Sequence, residues 1–380
     1  MPRGTIEMKK TAFLLLTALL GMTAASAAMA GKTRNVLLII SDGLRPEEMF
    51  TGAEDDLLND KAGGSWTPEA ELRAKYWNSD PKVRREMLFP FIWGTIAKQG
   101  QLLGNAALVS KAQVANDQGF SYPGYNEMSA GFPDARIDSN EFGPNPNQTV
   151  FEWLSHRPGF ENKVEIFGTW ETFHDIFNEK RSHLAVRAGT NVVDASDHSP
   201  RGELFMELYR NTTRLEGVDP YDSFLSVSVL DHLKTHRPRV LFVGFGDTDG
   251  WAHAGHYDAV LDTAHSFDAS VKALWELMQS LPQYKDKTTF IITADHGRGH
   301  GLVDWKEHGV QEKGTPMIEG SENIWMAIIG PDTPPLGERH NVANVTQSQI
   351  AATIAALLGE DYQKAEPRAA KPLLDVLNAH

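Results

Sequence analysis

Three short apolar runs in this chain stop at carboxylates: 34–41 (RNVLLIIS) at Asp42, 239–246 (RVLFVGFG) at Asp247 and Asp249, and 288–294 (TTFIITA) at Asp295. Histidines stand close behind two of them, His253 four residues after Asp249 and His296 directly after Asp295. His308, in the tripeptide EHG, follows downstream, with His300 as its rival for the same task. Carboxylate oxygens and imidazole nitrogens are ligands for zinc-type ions, and a chain without cysteine has no thiolate to offer instead. One Asp-His-Gly alone would be an ordinary turn. Three runs ending alike deliver enough ligands for two metal ions, each with an open position for substrate. A helical turn starting here would put Asp249, His253 and His256, at i, i+4 and i+7, on one face. Residues 119–125 (GFSYPGY) add an address for an anion, because Pro123 suits the first turn of a helix and so places Ser121 beside free N–H groups. Taken by itself, Ser121 reads equally well as a plain helix cap.

Such ligands need a scaffold that brings them to one edge. The runs are continuous rather than alternating, the pattern of parallel strands covered on both faces, and open parallel sheets bind ligands beyond the carboxyl ends of their strands. Further strands are expected at 101–109, 163–168 and 324–329, with helices at 68–76, 86–98, 221–236, 257–281 and 348–358. The expected fold is therefore α/β, with a mostly parallel central sheet and helices on both faces. Residues 31–380 are expected to form a single catalytic domain whose small insertions, at about 52–85 and 180–220, cover the site.

Composition narrows the function classes. The 380 residues carry 36 basic and 50 acidic side chains, a net charge of −14, which disfavours duplex nucleic acid or an anionic membrane as a general partner. Lys9-Lys10, the apolar run 12–22 and the small-residue triplets Ala25-Ser26-Ala27 and Ala28-Met29-Ala30 have the order of a cleavable signal peptide. Residues 1–30 are thus expected to be removed, leaving a secreted or periplasmic protein without stable membrane insertion and with no obligate protein partner evident.

The motifs NVLLIISDGLR, SYPGYNEMSAG, IDSN, DTDGWAHAGH, ITADHG and WKEHG, in this order from about Asn35 onward, resemble the alkaline phosphatase superfamily, especially its nucleotide pyrophosphatase/phosphodiesterase-like branch. The resemblance implies an alkaline-phosphatase-like three-layer sandwich and two divalent metal ions, zinc or alternatively manganese. It assigns Asp249, His253 and His308 to one metal and Asp42, Asp295 and His296 to the other. Ser121, standing where that branch usually has threonine, is implied as the bridging nucleophile, and Asn140 as a hydrogen-bond partner of the transferred group. Asp247 and His256 have no clear counterpart and are expected in supporting roles.

The implied reaction is hydrolysis of a small phosphate ester through a covalent phosphoserine, leaning to phosphodiester or pyrophosphate bonds. A phosphomonoesterase would want an arginine or lysine opposite the metals, for which Arg45, Lys180, Arg181, Arg187 and Arg298 are candidates; a diesterase would want an apolar wall, for which Trp170 and Phe173 are placed. A sulfatase is the nearest rival, since Ser121 and Pro123 fit its C/S-x-P-x-R pattern, but Tyr125 stands in the arginine position. The reading from another class is a non-catalytic metal- or partner-binding protein.

Overall fold

The computed structural model describes residues 31–214 and 220–377; the expected signal peptide, 1–30, lies outside the described residues. The strands are β1 (Asn35–Ser41), β2 (Gln101–Leu103), β3 (Ala112–Gln113), β4 (Val164–Gly168), β5 (Ala185–Ala188), β6 (Val240–Phe245), β7 (Thr288–Thr293), β8 (Asn323–Ile324), β9 (Met326–Ile329), β10 (Gly337–Glu338) and β11 (Val345–Thr346). Eight form one sheet in the order β10-β2-β9-β7-β1-β6-β4-β5, and β11, β3 and β8 form a small second sheet. From β7 across to β5 every pairing in the large sheet is parallel, and β9 runs against both β7 and β2. This is the alkaline-phosphatase-like α/β architecture.

The three carboxylate-tipped runs become the three central strands. Every residue of β1, β6 and β7 is buried, as continuous Val/Leu/Ile/Phe runs require when helices cover both faces. Each such side chain gains about 1.5–3 kcal/mol from full burial, so these strands also anchor the core. Register then does the positioning: Ser41 lies opposite Phe245 and Ile40 opposite Thr293, so the chain leaves all three strands at one edge.

Other expectations needed revision. The strand expected at 101–109 ends at Leu103, because Gly104 turns the chain at φ 121° into a short 3-10 turn, Ala106–Leu108. The helix expected at 86–98 divides into Pro81–Leu88 and a π-helical turn, Ile92–Ile96; the carboxylate of Asp268 receives the N–H groups of Phe91 and Ile92 where the two meet. Region 180–220 is more than a cover, since Ala185–Ala188 forms β5 at the sheet edge. No helix among the described residues is long and apolar enough to cross a membrane.

Candidate functional site

The strand ends assemble two Asp–His clusters. Asp42, Asp295 and His296 are all buried, and His296 Nε2 lies 3.3 Å from Asp42 Oδ1 and 3.5 Å from Asp295 Oδ2. In the second cluster, Asp249 and His253 lie on the helix Asp247–His253 that follows β6, and His308 arrives from a loop. His253 Nε2 is 3.3 Å from Asp249 Oδ2 and 3.0 Å from His308 Nε2, while His308 Nε2 is 3.5 Å from Asp249 Oδ1. The clusters touch, for the rings of His296 and His308 stack with centroids 3.9 Å apart.

Ser121 sits against the first cluster and lines a cavity together with Asp249 and His253 of the second. It is the first residue of the helix Ser121–Ala130, its Oγ 3.4 Å from His296 Nε2, and it does not cap that helix. Asn140 takes the capping role from outside: its Oδ1 accepts the Tyr122 N–H at 2.9 Å, and the residue lines the same cavity as Ser121. The helix is held hard against the sheet. A Cβ on Gly124 would come within 2.4 Å of the Asp295 carbonyl oxygen, so only glycine permits this approach. One turn further on, the buried Glu127 carboxylate accepts from Ala115 N, Asn116 N and Nδ2, and Ser348 N and Oγ, which fixes the helix to two other segments.

The orphaned oxygens test whether metal ions suit the site. Asp42 Oδ1 and Asp295 Oδ2 are buried with no hydrogen bond, a costly condition for carboxylates. Burial, then the neighbouring Asp42 carboxylate, pushes Asp295 well above its ordinary range. Burial opposes a charge on His296, but Asp295 and Asp42 outweigh it and raise the imidazole to about 9. Without a cation, protons must neutralise this cluster. His308 behaves oppositely: burial, then His296 and Arg298, holds it well below the usual histidine range. Its Nδ1 donates to the Gly119 carbonyl at 3.2 Å, which turns a bare Nε2 toward Asp249 as metal ligation requires. Three ligands per cluster, all oxygen and imidazole nitrogen, fit divalent ions of the zinc type.

Supporting groups complete the arrangement. Tyr125, buried in the serine helix, donates to Asp42 Oδ2 at 2.8 Å; burial, then the nearby Asp295 and Asp42 carboxylates, pushes its hydroxyl far up, so it remains a donor. Gly43 N–H donates to Asp295 Oδ1 at 3.0 Å. Arg298 is almost wholly buried, with an ion pair to Asp249 Oδ1 and a 2.6 Å hydrogen bond from Nη1 to the Lys306 carbonyl. That bond and Gly299 N–H to Glu307 O fold the loop so that His308 returns to Asp249. His300 faces elsewhere, pairing with Glu47 at 2.7 Å, so His308 is the histidine that joins the cluster.

Several residues are placed differently from their sequence reading. His256 does not share the Asp249–His253 face, because the helix ends at His253 and Gly255, at φ 74°, reverses the chain; His256 Nδ1 instead donates to the Gly64 carbonyl at 2.8 Å. Phe173 is core, packed on Tyr125 and Phe242, and only Trp170 of the expected wall reaches the cavity. Arg45 is bound to Glu48 and Glu54, Arg181 to Glu152, and Arg187 to Glu165. None of the five basic candidates, Lys180 and Arg298 included, lines the cavity. The cavity measures about 520 Å³ and includes Ser121, Asp249, Trp170, Tyr221, Asp247 and Trp251. Tyr221 and Trp251 had carried no chemical signal in the sequence. Burial raises Asp247 to about 7, and burial together with Asp247 pushes its neighbour Asp222 well above its ordinary value.

Known proteins agree with this geometry at the level of fold and family. Solved structures with similar folds include a protein of the alkaline phosphatase superfamily from Vibrio parahaemolyticus (TM-score 0.51, 13% identity, covering 90% of this chain and 70% of that one). The phosphonate monoester hydrolase of Silicibacter pomeroyi is similar over 92% of this chain and 77% of its own, at TM-score 0.55 and 11% identity. A 2-O GAG sulfatase is similar over 92% and 75%, at TM-score 0.52 and 12% identity. No curated protein matches the sequence. The model of the family type I phosphodiesterase / nucleotide pyrophosphatase matches residues 59–328, and the chain therefore belongs to that family of alkaline phosphatase superfamily hydrolases.

Proposed function

We propose that the protein is an exported phosphodiester hydrolase in which Ser121 is the nucleophile and the two Asp–His clusters would each hold a divalent cation, most simply zinc. The observation that carries this reading is the placement of Ser121 Oγ, 3.4 Å from His296 Nε2, at a helix N-terminus in a cavity that Asp249 and His253 also line. Asp42, Asp295 and His296 would hold one cation, and Asp249, His253 and His308 the other. When bound, such ions supply Lewis-acid stabilisation of the oxygens that gain charge during in-line displacement at phosphorus. Ser121 Oγ forms the new bond to phosphorus as the ester alcohol departs, and water then releases phosphate monoester from the serine. The Asn140 amide, whose oxygen holds the Tyr122 N–H while the residue lines the same cavity as Ser121, would donate from its nitrogen to the transferring group, and Tyr125 keeps Asp42 in orientation.

Diester is favoured over monoester because, among the described residues, no arginine or lysine lines the cavity to meet a second phosphate charge, while the rings of Trp170, Tyr221 and Trp251 do line it. A sulfatase reading is weakened by Tyr125, whose hydroxyl is committed to Asp42 where the sulfatase pattern has arginine. The deciding experiment compares aryl phosphate diesters, monoesters and sulfate esters on zinc-loaded protein with and without chelator. Chelator-sensitive diester cleavage at the highest kcat/KM is expected; preference for the sulfate ester, or turnover indifferent to chelator, would reject the reading, and no turnover on any ester would favour a binding protein.

A further inference from the structure

The two clusters differ in charge as well as in build. The inner one sets two carboxylates, Asp42 and Asp295, beside one imidazole, while the outer one has a single carboxylate, Asp249, beside two imidazoles. That single carboxylate is already engaged. Arg298, 2% exposed, pairs through Nη2 with Asp249 Oδ1 and reaches the Asp249 carbonyl at 3.3 Å, while Nη1 donates to the Lys306 carbonyl at 2.6 Å. Contacts to two segments hold the guanidinium in place, and its charge persists at any working pH. Room for it comes from the residue after the inner ligand Asp42: a Cβ on Gly43 would stand 2.8 Å from Arg298 Nε and 2.9 Å from Asp249 Oδ1. Arg298 Nε is buried without a hydrogen bond, a cost that packing alone does not explain.

A fixed guanidinium beside the outer carboxylate repels a divalent cation that would bind there, and the repulsion is strong where water is scarce. With its carboxylates ionised the inner cluster is doubly negative, whereas Asp249 and Arg298 cancel. We infer that Arg298 is a positioning residue that makes the outer cation the weakly held, exchangeable one of the pair. It takes Asp249 Oδ1 and leaves Oδ2, 3.3 Å from His253 Nε2, for the ion. Occupancy of the outer position then follows the free concentration of the divalent ion, while the inner ion stays bound. The inference rests on the two-cation reading above and adds an order of filling to it.

The test measures zinc bound by the full chain, stripped of metal and then equilibrated in a series of zinc buffers. Wild-type protein should fill in two steps whose Kd values differ about tenfold or more, and His308→Ala should lose the weaker step and keep the tighter. Arg298→Gln, which removes the charge and keeps a donor for the Lys306 carbonyl, should tighten the weaker step roughly tenfold and leave the other unmoved. Arg298→Lys, which keeps the charge, should stay near wild type. A residue that only braced the loop would give the opposite sign, since its loss would loosen the outer ion. An unchanged or weaker outer step in Arg298→Gln, equal tightening in both arginine variants, or loss of the tighter step in His308→Ala overturns the inference and leaves the two-cation reading standing. The histidine arm decides by itself if the arginine variants do not fold. A single equivalent bound by wild-type protein at every zinc concentration refutes the two-cation reading, and the inference with it.

Discussion

The two Asp–His clusters are built from similar ligands by different means. The inner one, Asp42, Asp295 and His296, hangs directly from the ends of two central strands and is buried throughout. The outer one, Asp249, His253 and His308, joins a seven-residue helix to a loop, and the His253 side chain is 38% exposed. A strand end fixes its next residue through backbone register, whereas the outer cluster depends on a helix stopping on time and a loop closing correctly. Rigid and yielding supports thus lie side by side, with Ser121 in a cavity lined by residues of both clusters.

The largest effect expected from testing this contrast is at the residue the clusters share. Ser121→Ala should lower turnover by ~10⁴-fold or more while retaining two equivalents of metal, measured by steady-state kinetics and metal analysis. Loss of metal with the hydroxyl would mean that the serine organises the clusters instead of acting between them. Next, His308→Ala should remove one equivalent of metal and His300→Ala none; equal loss in both variants would break the assignment of the outer cluster. In urea unfolding without metal, His296→Ala should cost roughly 3 kcal/mol, because two buried carboxylates lose their counter-charge. His253→Ala, half in water, should cost less than about 1 kcal/mol. Similar costs would erase the distinction between rigid and yielding.

The smallest effect is a proton count. His296 is shifted upward to about 9, so it carries a proton at neutral pH in metal-free protein, and Asp295 is shifted in the same direction. The sign follows: a metal must displace the proton on His296, so binding at the inner cluster should release about one at neutral pH and fewer once the pH passes 9. Calorimetry in buffers of different ionisation enthalpy measures this. His308, shifted downward, already offers a bare nitrogen, and outer-cluster binding should release fewer.

What could be read from the sequence follows the same division. Asp42, Asp295 and His296 were legible because an apolar strand announces its end, and periodicity along one strand is local information. Asp249 and His253 were legible by helical spacing, but the same spacing wrongly drew in His256, since nothing in it marks the reversal at Gly255. The choice of His308 over His300 rested on resemblance alone, because loop closure depends on Arg298 reaching the Lys306 carbonyl. Tyr125 could have been suspected, as it stands one helical turn beyond Ser121 on the same face. Tyr221 and Trp251 could not, because their pairing is set by the Asp222–Asp247 bond between two helices. Only tertiary structure holds that kind of information.

The glycine one turn into the serine helix has consequences for how this enzyme can change. Its missing methyl group sets the clearance between the helix that carries Ser121 and the strand end, since a Cβ at Gly124 would stand 2.4 Å from the Asp295 carbonyl oxygen. Even alanine would lift the helix by roughly 1 Å, a displacement that can cost about a hundredfold in rate. The spacing therefore cannot be tuned by small steps at this position. In a saturation library, position 124 should accept glycine alone when variants are selected for turnover, yet admit alanine when they are selected only for folded protein.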